Sequence, residues 1–222
     1  MQDIEITGEG KFLPLFCVPF GVYTDLNYEN VKNVFLKMCY DEMNSDDGRI
    51  VSNRHGWQSS SDWFFQEKNS FFNRYIHKLC ENLFYESFDH SGELSFTINS
   101  PWINISPFGA YNVFHTHPGC DYAAVFYIDL PKESYIVFES PSGHVDGLTS
   151  SMYSNEIKNR YSMFGEIELY PSEGTLLIFP SWMRHMVEEN LSDTDRISIA
   201  FNIKIENYGR FGENSKRGQI TC

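Results

Sequence analysis

The chain has 222 residues, 41% of them hydrophobic and 16% aromatic. That is apolar material for a sizeable core, and a prior of roughly 150 residues per domain leaves one large domain or two small ones. Seventeen basic against thirty acidic side chains give a net charge of −13, which disfavours nucleic acid as a partner, while a charged share of only 21% excludes a disordered chain or a coiled coil.

The N-terminal stretch Met1–Thr7 lacks the basic-then-apolar pattern of a secretion signal. No apolar run approaches the roughly 18 residues that a membrane span needs. Cys17, Cys39, Cys80, Cys120 and Cys222 are scattered and form no C-x-x-C pair, a pattern that suits a reducing compartment and argues against a disulfide framework or thiolate zinc site. The reading is a soluble, cytoplasmic protein. Repeats and linkers are absent, so residues 1–222 read as a single domain: helix-rich over 15–90, a strand-rich core over about 91–206, and a disordered tail over 207–222.

Two helices are expected first. From about Tyr28 to Met43 the apolar positions Val31, Val34, Phe35, Met38 and Cys39 form one amphipathic stripe. From about Asn69 to Glu86 the spacing returns at Phe72, Tyr75, Ile76, Leu79, Cys80 and Leu83. Short β-rich runs then follow at Leu94–Asn99, Trp102–Ser106, Tyr111–His117, Ala123–Leu130, Tyr135–Glu139, Glu166–Tyr170, Thr175–Phe179 and Arg196–Ile205. Their spacing and turn residues point to an antiparallel sandwich or barrel, mainly β, with the helices packed on one sheet. Ser140–Arg160 is long, polar and poorly patterned, and reads as a loop or lid.

Chemistry concentrates in three places. His115 and His117 stand two apart, so on a strand both side chains share a face. His185 follows the apolar strand that ends at Pro180. Imidazoles from separate strand ends suit a first-row metal; the competing reading of an H-x-H pair is two ordinary surface or core histidines. Along Arg196–Ile203, alternation puts Arg196, Ser198, Ala200 and Asn202 on one face and Ile197, Ile199, Phe201 and Ile203 on the other. An inward Arg is costly unless an anion meets it, either a carboxylate ligand gripped by paired hydrogen bonds or an acidic side chain of the protein.

Together His115-x-His117 with Pro118, His185 and Arg196-x-Ser198 resemble the Fe(II)/2-oxoglutarate-dependent oxygenase superfamily. More narrowly the chain is similar to a prolyl-hydroxylase-like subgroup of marine phages and bacteria that reads H-x-H-P where most of the superfamily reads H-x-D. Ser52-Asn53-Arg54-His55-Gly56-Trp57-Gln58-Ser59 resembles that subgroup's S-N-x-G-G-W-x-S motif, with His55 in place of a Gly, and Trp102-Ile103-Asn104 resembles its W-x-N strand.

The resemblance implies a double-stranded β-helix, the cupin-like jelly roll. It also implies Fe(II) bound by His115, His117 and His185, with 2-oxoglutarate and O2 as cosubstrates. Arg196 and Ser198 then hold the distal carboxylate of 2-oxoglutarate, with Tyr127 touching it, and an unknown primary substrate of peptide or amino-acid-like character is hydroxylated. Asn104, Asn202 and Trp57 are its candidate substrate contacts, set against structural roles for each. Self-association is open, since relatives associate but no heptad or exposed apolar helix demands it. Asp121 is the alternative to His117 as a ligand. The alternative functions are a cupin-like dioxygenase or isomerase that does not use 2-oxoglutarate, and a non-catalytic metal-binding jelly roll.

Overall fold

The computed structural model describes residues 17–87, 95–142 and 150–207. Eleven strands and three α-helices are found among them. Strand β1 (Gly21–Thr24) is followed by a 3-10 turn at Tyr28–Asn30 and by α1 (Lys32–Met43). Next come the two-residue strands β2 (Asn53–Arg54) and β3 (Trp57–Gln58), then α2 (Ser70–Ser87). The strand-rich half holds β4 (Ser95–Ser106), β5 (Tyr111–His115), β6 (Tyr122–Asp129) and β7 (Ile136–Glu139). It continues with α3 (Asn155–Tyr161), β8 (Glu166–Leu169), β9 (Thr175–Pro180), β10 (His185–Val187) and β11 (Arg196–Asn207). No described helix is long and apolar enough to cross a membrane.

All strand pairs are antiparallel and form two sheets, one ordered β1-β9-β6-β11-β4-β3 and the other β2-β5-β10-β7-β8. Strand alternation divides the core into two layers. Phe126 and Ile128 on β6, Leu176 and Ile178 on β9, and Ile197, Ile199, Phe201 and Ile203 on β11 form one apolar cluster with the helices. Phe35 and Cys39 of α1 and Phe72, Ile76 and Cys80 of α2 cover this face, each essentially inaccessible. The intervening residues Ala123 and Tyr127 on β6 and Leu177 and Phe179 on β9 turn the other way, onto Ile136 and Phe138 of the smaller sheet. A residue on a strand of the larger sheet thus faces either helices or the inter-sheet space, and a slip of one position exchanges the two.

The expected helices and their stripes are present, except that Val34 is 55% exposed at the edge of its stripe. The two runs expected around Trp102 are one strand, β4. Between Ala200 and Asn202 of β11 the partner on β4 advances three residues, from Trp102 to Asn99, and Ser100 has φ +47°. The Ser100-Pro101 break is therefore a β-bulge, where proline costs no ladder hydrogen bond. Within the expected Ser140–Arg160 loop, residues 155–161 instead form α3, started by Ser154, whose Oγ accepts from the Ile157 amide. Of the rest of that loop, residues 150–152 form a 3-10 turn and residues 143–149 fall outside the described residues, as does the expected tail beyond residue 207.

Gly174 enters β9 with φ +73°, and a Cβ there would lie 2.5 Å from the side chain of Tyr28. Only glycine fits both demands.

Candidate metal and anion site

His115 ends β5 and His185 opens β10, and the two are direct cross-strand partners. His117 lies just past β5, where its amide donates to Ser181 O at 2.8 Å. These contacts bring the three imidazoles together: each offers a nitrogen, and the three nitrogens lie within 4.8 Å of one another. His117 Nε2 and His185 Nε2 are 3.3 Å apart, on rings that are parallel within 3°.

The outward nitrogens fix the tautomers. His115 Nδ1 lies 2.7 Å from Val113 O and His185 Nδ1 2.9 Å from Met183 O. A carbonyl only accepts, so both Nδ1 atoms carry the proton and leave a lone pair on Nε2. His117 Nδ1 donates in the same way to Asn202 Oδ1 at 3.0 Å. Burial pushes the imidazoles toward their neutral forms, to about 4 for His117 and about 3 for His185, with His115 adding repulsion. His115 is also lowered by burial. Neutral rings whose lone pairs point at one another repel unless a cation sits between them. The donor set fits a first-row divalent metal, Fe(II) included.

The cavity beside the histidines runs between the sheets. Trp102 stacks on His117 with ring centroids 5.6 Å apart and 16° between planes, and Phe179 meets His185 edge-on at 4.8 Å. The cavity also contains Asn104, Tyr127, Arg196 and Ser198.

Arg196 is 4% exposed. Its Nη1 donates to Glu188 O at 2.8 Å and its Nη2 to Ala110 O at 3.2 Å. Among the described residues it makes no ion pair, so the acidic-side-chain alternative has no partner here. Burial holds its guanidinium below the ordinary arginine range. Of five N–H donors, two are used; the guanidinium lines the cavity, attracted by the Glu188 charge but in no ion pair with it. Ser198 is the cross-strand partner of both Asn104 and Tyr127. Tyr127 is buried at 3% exposure, and burial raises its hydroxyl's pKa.

Most expected site residues converge: His115, His117, His185, Arg196, Ser198, Tyr127 and Asn104 share one cavity. Asp121 does not take part in the cluster; its carboxylate accepts from the Ile205 amide at 2.8 Å and faces Lys204. Two candidate substrate contacts have partners within the protein. Asn202 orients His117, because alternation on β11 brings its amide against the ring. Trp57 is absent from the cavity wall; it packs with the helix-side core and its Nε1 donates to Asp46 O at 3.0 Å, since its neighbour Gln58 is the residue level with Asn104. Ser106 and Trp102 were missed as cavity residues. Their alternation with Asn104 within the expected Trp102–Ser106 run was the available signal.

Residues 100–202 match the family described as "Putative 2OG-Fe(II) oxygenase". No curated protein matches the chain. Among solved structures, a Pseudomonas putida prolyl-4-hydroxylase aligns with a TM-score of 0.55 at 13% identity, over 84% of this chain and 93% of that one. The carbocyclase SnoK from nogalamycin biosynthesis, described as non-heme and alpha-ketoglutarate dependent, aligns at 0.60 and 11% identity, covering 84% and 80%. A prolyl hydroxylase from Trichoplax adhaerens, in complex with a hypoxia inducible factor peptide fragment, aligns at 0.55 and 14% identity, covering 83% of each chain. At these identities the structures establish the fold, a jelly roll with helices on one sheet. Over residues 100–202, the stretch that holds the three histidines and Arg196, this chain is similar to the 2OG-Fe(II) oxygenases.

Proposed function

We propose that the chain is one oxygenase domain in which His115, His117 and His185 hold Fe(II) and Arg196, with Ser198 and Tyr127, anchors the distal carboxylate of 2-oxoglutarate. The reaction is hydroxylation of a C–H bond: 2-oxoglutarate, O2 and R–H give succinate, CO2 and R–OH. The observation that carries this reading is Arg196, a buried cation that makes no ion pair among the described residues, in the same cavity as three converging imidazoles. A small dianion meets both demands at once.

Bound iron supplies the oxygen chemistry that no side chain here performs. The protein's part is placement. The carbonyls of Val113 and Met183 and the amide of Asn202 aim the three Nε2 lone pairs. Glu188 O and Ala110 O steer the Arg196 fork, so the cosubstrate enters in one orientation. Phe179 and Trp102 exclude water from two of the rings. Three neutral ligands leave a divalent ion its full charge, which strengthens its attraction for a dianion.

The acidic surface favours a basic or neutral primary substrate. A peptide or amino-acid-like compound fits, in keeping with the peptide-bound Trichoplax neighbour. Free thiols at Cys17, Cys39, Cys80 and Cys120 support a reducing, cytoplasmic setting.

The test is anaerobic titration of the Fe(II)-loaded protein with 2-oxoglutarate, followed in air by succinate and oxygen assays. A visible charge-transfer band, then succinate release coupled to oxygen uptake, is expected. Iron binding without either would leave a metal-binding jelly roll.

A further inference from the structure

Asn104 and Gln58 oppose each other across β4 and β3. Directly opposed residues share a sheet face, and here that face is the cavity wall, because Asn104 lines the cavity with Ser198 as its other cross-strand partner. Asn104 Oδ1 and Gln58 Oε1 are both buried, and neither accepts a hydrogen bond from a described residue. Gln58 is 3% exposed. A desolvated amide oxygen without a donor is unfavourable, and native interiors hold few. Two in one cross-strand pair, at the wall of a reaction cavity, are groups arranged to receive a donor.

The cosubstrate does not supply it. At neutral pH 2-oxoglutarate has a keto oxygen and two carboxylates, all acceptors. Arg196 and Ser198 present donors, the complement of that dianion; Asn104 and Gln58 present unmet acceptors, the complement of something else. We infer that Asn104, backed by Gln58, is a specificity residue for the primary substrate, accepting the N–H of a secondary amide beside the bond that is oxidised. The Asn104 Cβ–Cγ bond is a soft torsion, so the amide is free to reorient toward a donor in the cavity that the residue lines. This rests on the oxygenase reading for the role of the cavity, and it assigns the amide end of the substrate to the β3–β4 wall.

Asn104→Leu, nearly isosteric and apolar, tests it, with Asn104→Ala as the variant that introduces no added bulk. In the protein without ligands the melting temperature of both is expected to hold, or to rise for Leu, because an unmet acceptor is removed. A fall of several degrees in both variants means that an internal partner, side chain or water, already satisfies the amide, and overturns the inference. In the Fe(II)-loaded protein the 2-oxoglutarate dissociation constant is expected within about twofold of wild type. A tenfold rise assigns Asn104 to the cosubstrate and overturns the inference while sparing the oxygenase reading, whereas a wild type that gives no charge-transfer band fails that reading itself.

The probe for the amide is N-methylacetamide against N,N-dimethylacetamide, which lacks the N–H, followed by saturation-transfer NMR on the protein loaded with Fe(II) and 2-oxoglutarate. Wild type is expected to saturate the first and not the second, and Asn104→Leu neither. Equal signals from both amides, or none from either in wild type, overturn the inference.

Discussion

Replacing Arg196 by methionine isolates the anion anchor, because methionine keeps most of the side-chain length and removes every donor. Hydrogen bonds to a charged group contribute about 1.5–3 kcal/mol each. A paired contact to a carboxylate is therefore worth about 3–6 kcal/mol, a loss of roughly 10²- to 10⁴-fold in affinity. Stability responds differently. Ala110 O also accepts from the Asn190 amide at 2.9 Å, so only the Arg196 bond to Glu188 O leaves a carbonyl without its partner. That costs about 1–3 kcal/mol, and removing a buried cation that makes no ion pair among the described residues offsets it by a similar amount. The melting temperature of Arg196→Met is expected within about 5 °C of wild type, with iron binding intact and the 2-oxoglutarate dissociation constant raised at least a hundredfold. Calorimetry with and without 2-oxoglutarate reads both quantities. An unchanged 2-oxoglutarate affinity, or a collapse of the fold without ligand, would show that the guanidinium serves the structure instead.

His185→Ala is expected to abolish iron retention and succinate formation, whereas Asp121→Asn keeps both; metal content after desalting separates the two ligand assignments. Asp46 accepts from the amides of Ser60 and Gly48, each at 2.8 Å, and these bonds, Ser60 first, hold its carboxyl below the ordinary range. A depressed carboxyl stabilises the fold fully above its unfolded pKa of about 3.9, and that contribution disappears as pH falls through the lower folded value. The melting-temperature gap between wild type and Asp46→Asn is therefore constant near neutrality and narrows in acid; a gap that persists in acid refutes the assignment. His55 has φ +59°, a left-handed conformation that costs a β-carbon-bearing residue about 1–2 kcal/mol. Set against the extra chain entropy of glycine, about 0.5–1 kcal/mol, His55→Gly stabilises by up to about 1.5 kcal/mol, read as a higher urea midpoint at unchanged slope.

His55 also shows how far the sequence reading reached. The motif that Ser52–Ser59 resembles implied glycine at this place, and the left-handed backbone of His55 is one that glycine adopts without strain, although the pattern alone gave no φ. The alternation of β11 alone separates Arg196, Ser198, Ala200 and Asn202 from Ile197, Ile199, Phe201 and Ile203, and the stripes of α1 and α2 name the buried helix residues except Glu42 and Phe84. These features are local: a period of two or of 3.6 residues is set by neighbours on the same element, so the chain carries it whatever the rest does.

Non-local pairing decided the remainder. β10 is three residues long, too short for any periodicity, yet its register against β5 sets His185 opposite His115. His117 joins the cluster and Asp121 does not because the turn after β5 is tied to Ser181 and the Asp121 carboxylate to Ile205. Asn202 reaches His117 across 85 positions of sequence. Whether Arg196 meets an acidic side chain was open in the sequence, and among the described residues none forms an ion pair with it. Sequence by itself determined which residues face inward, because that follows from local geometry; tertiary structure determined which inward residues meet, because strand register and loop closure bring together groups that the chain keeps far apart.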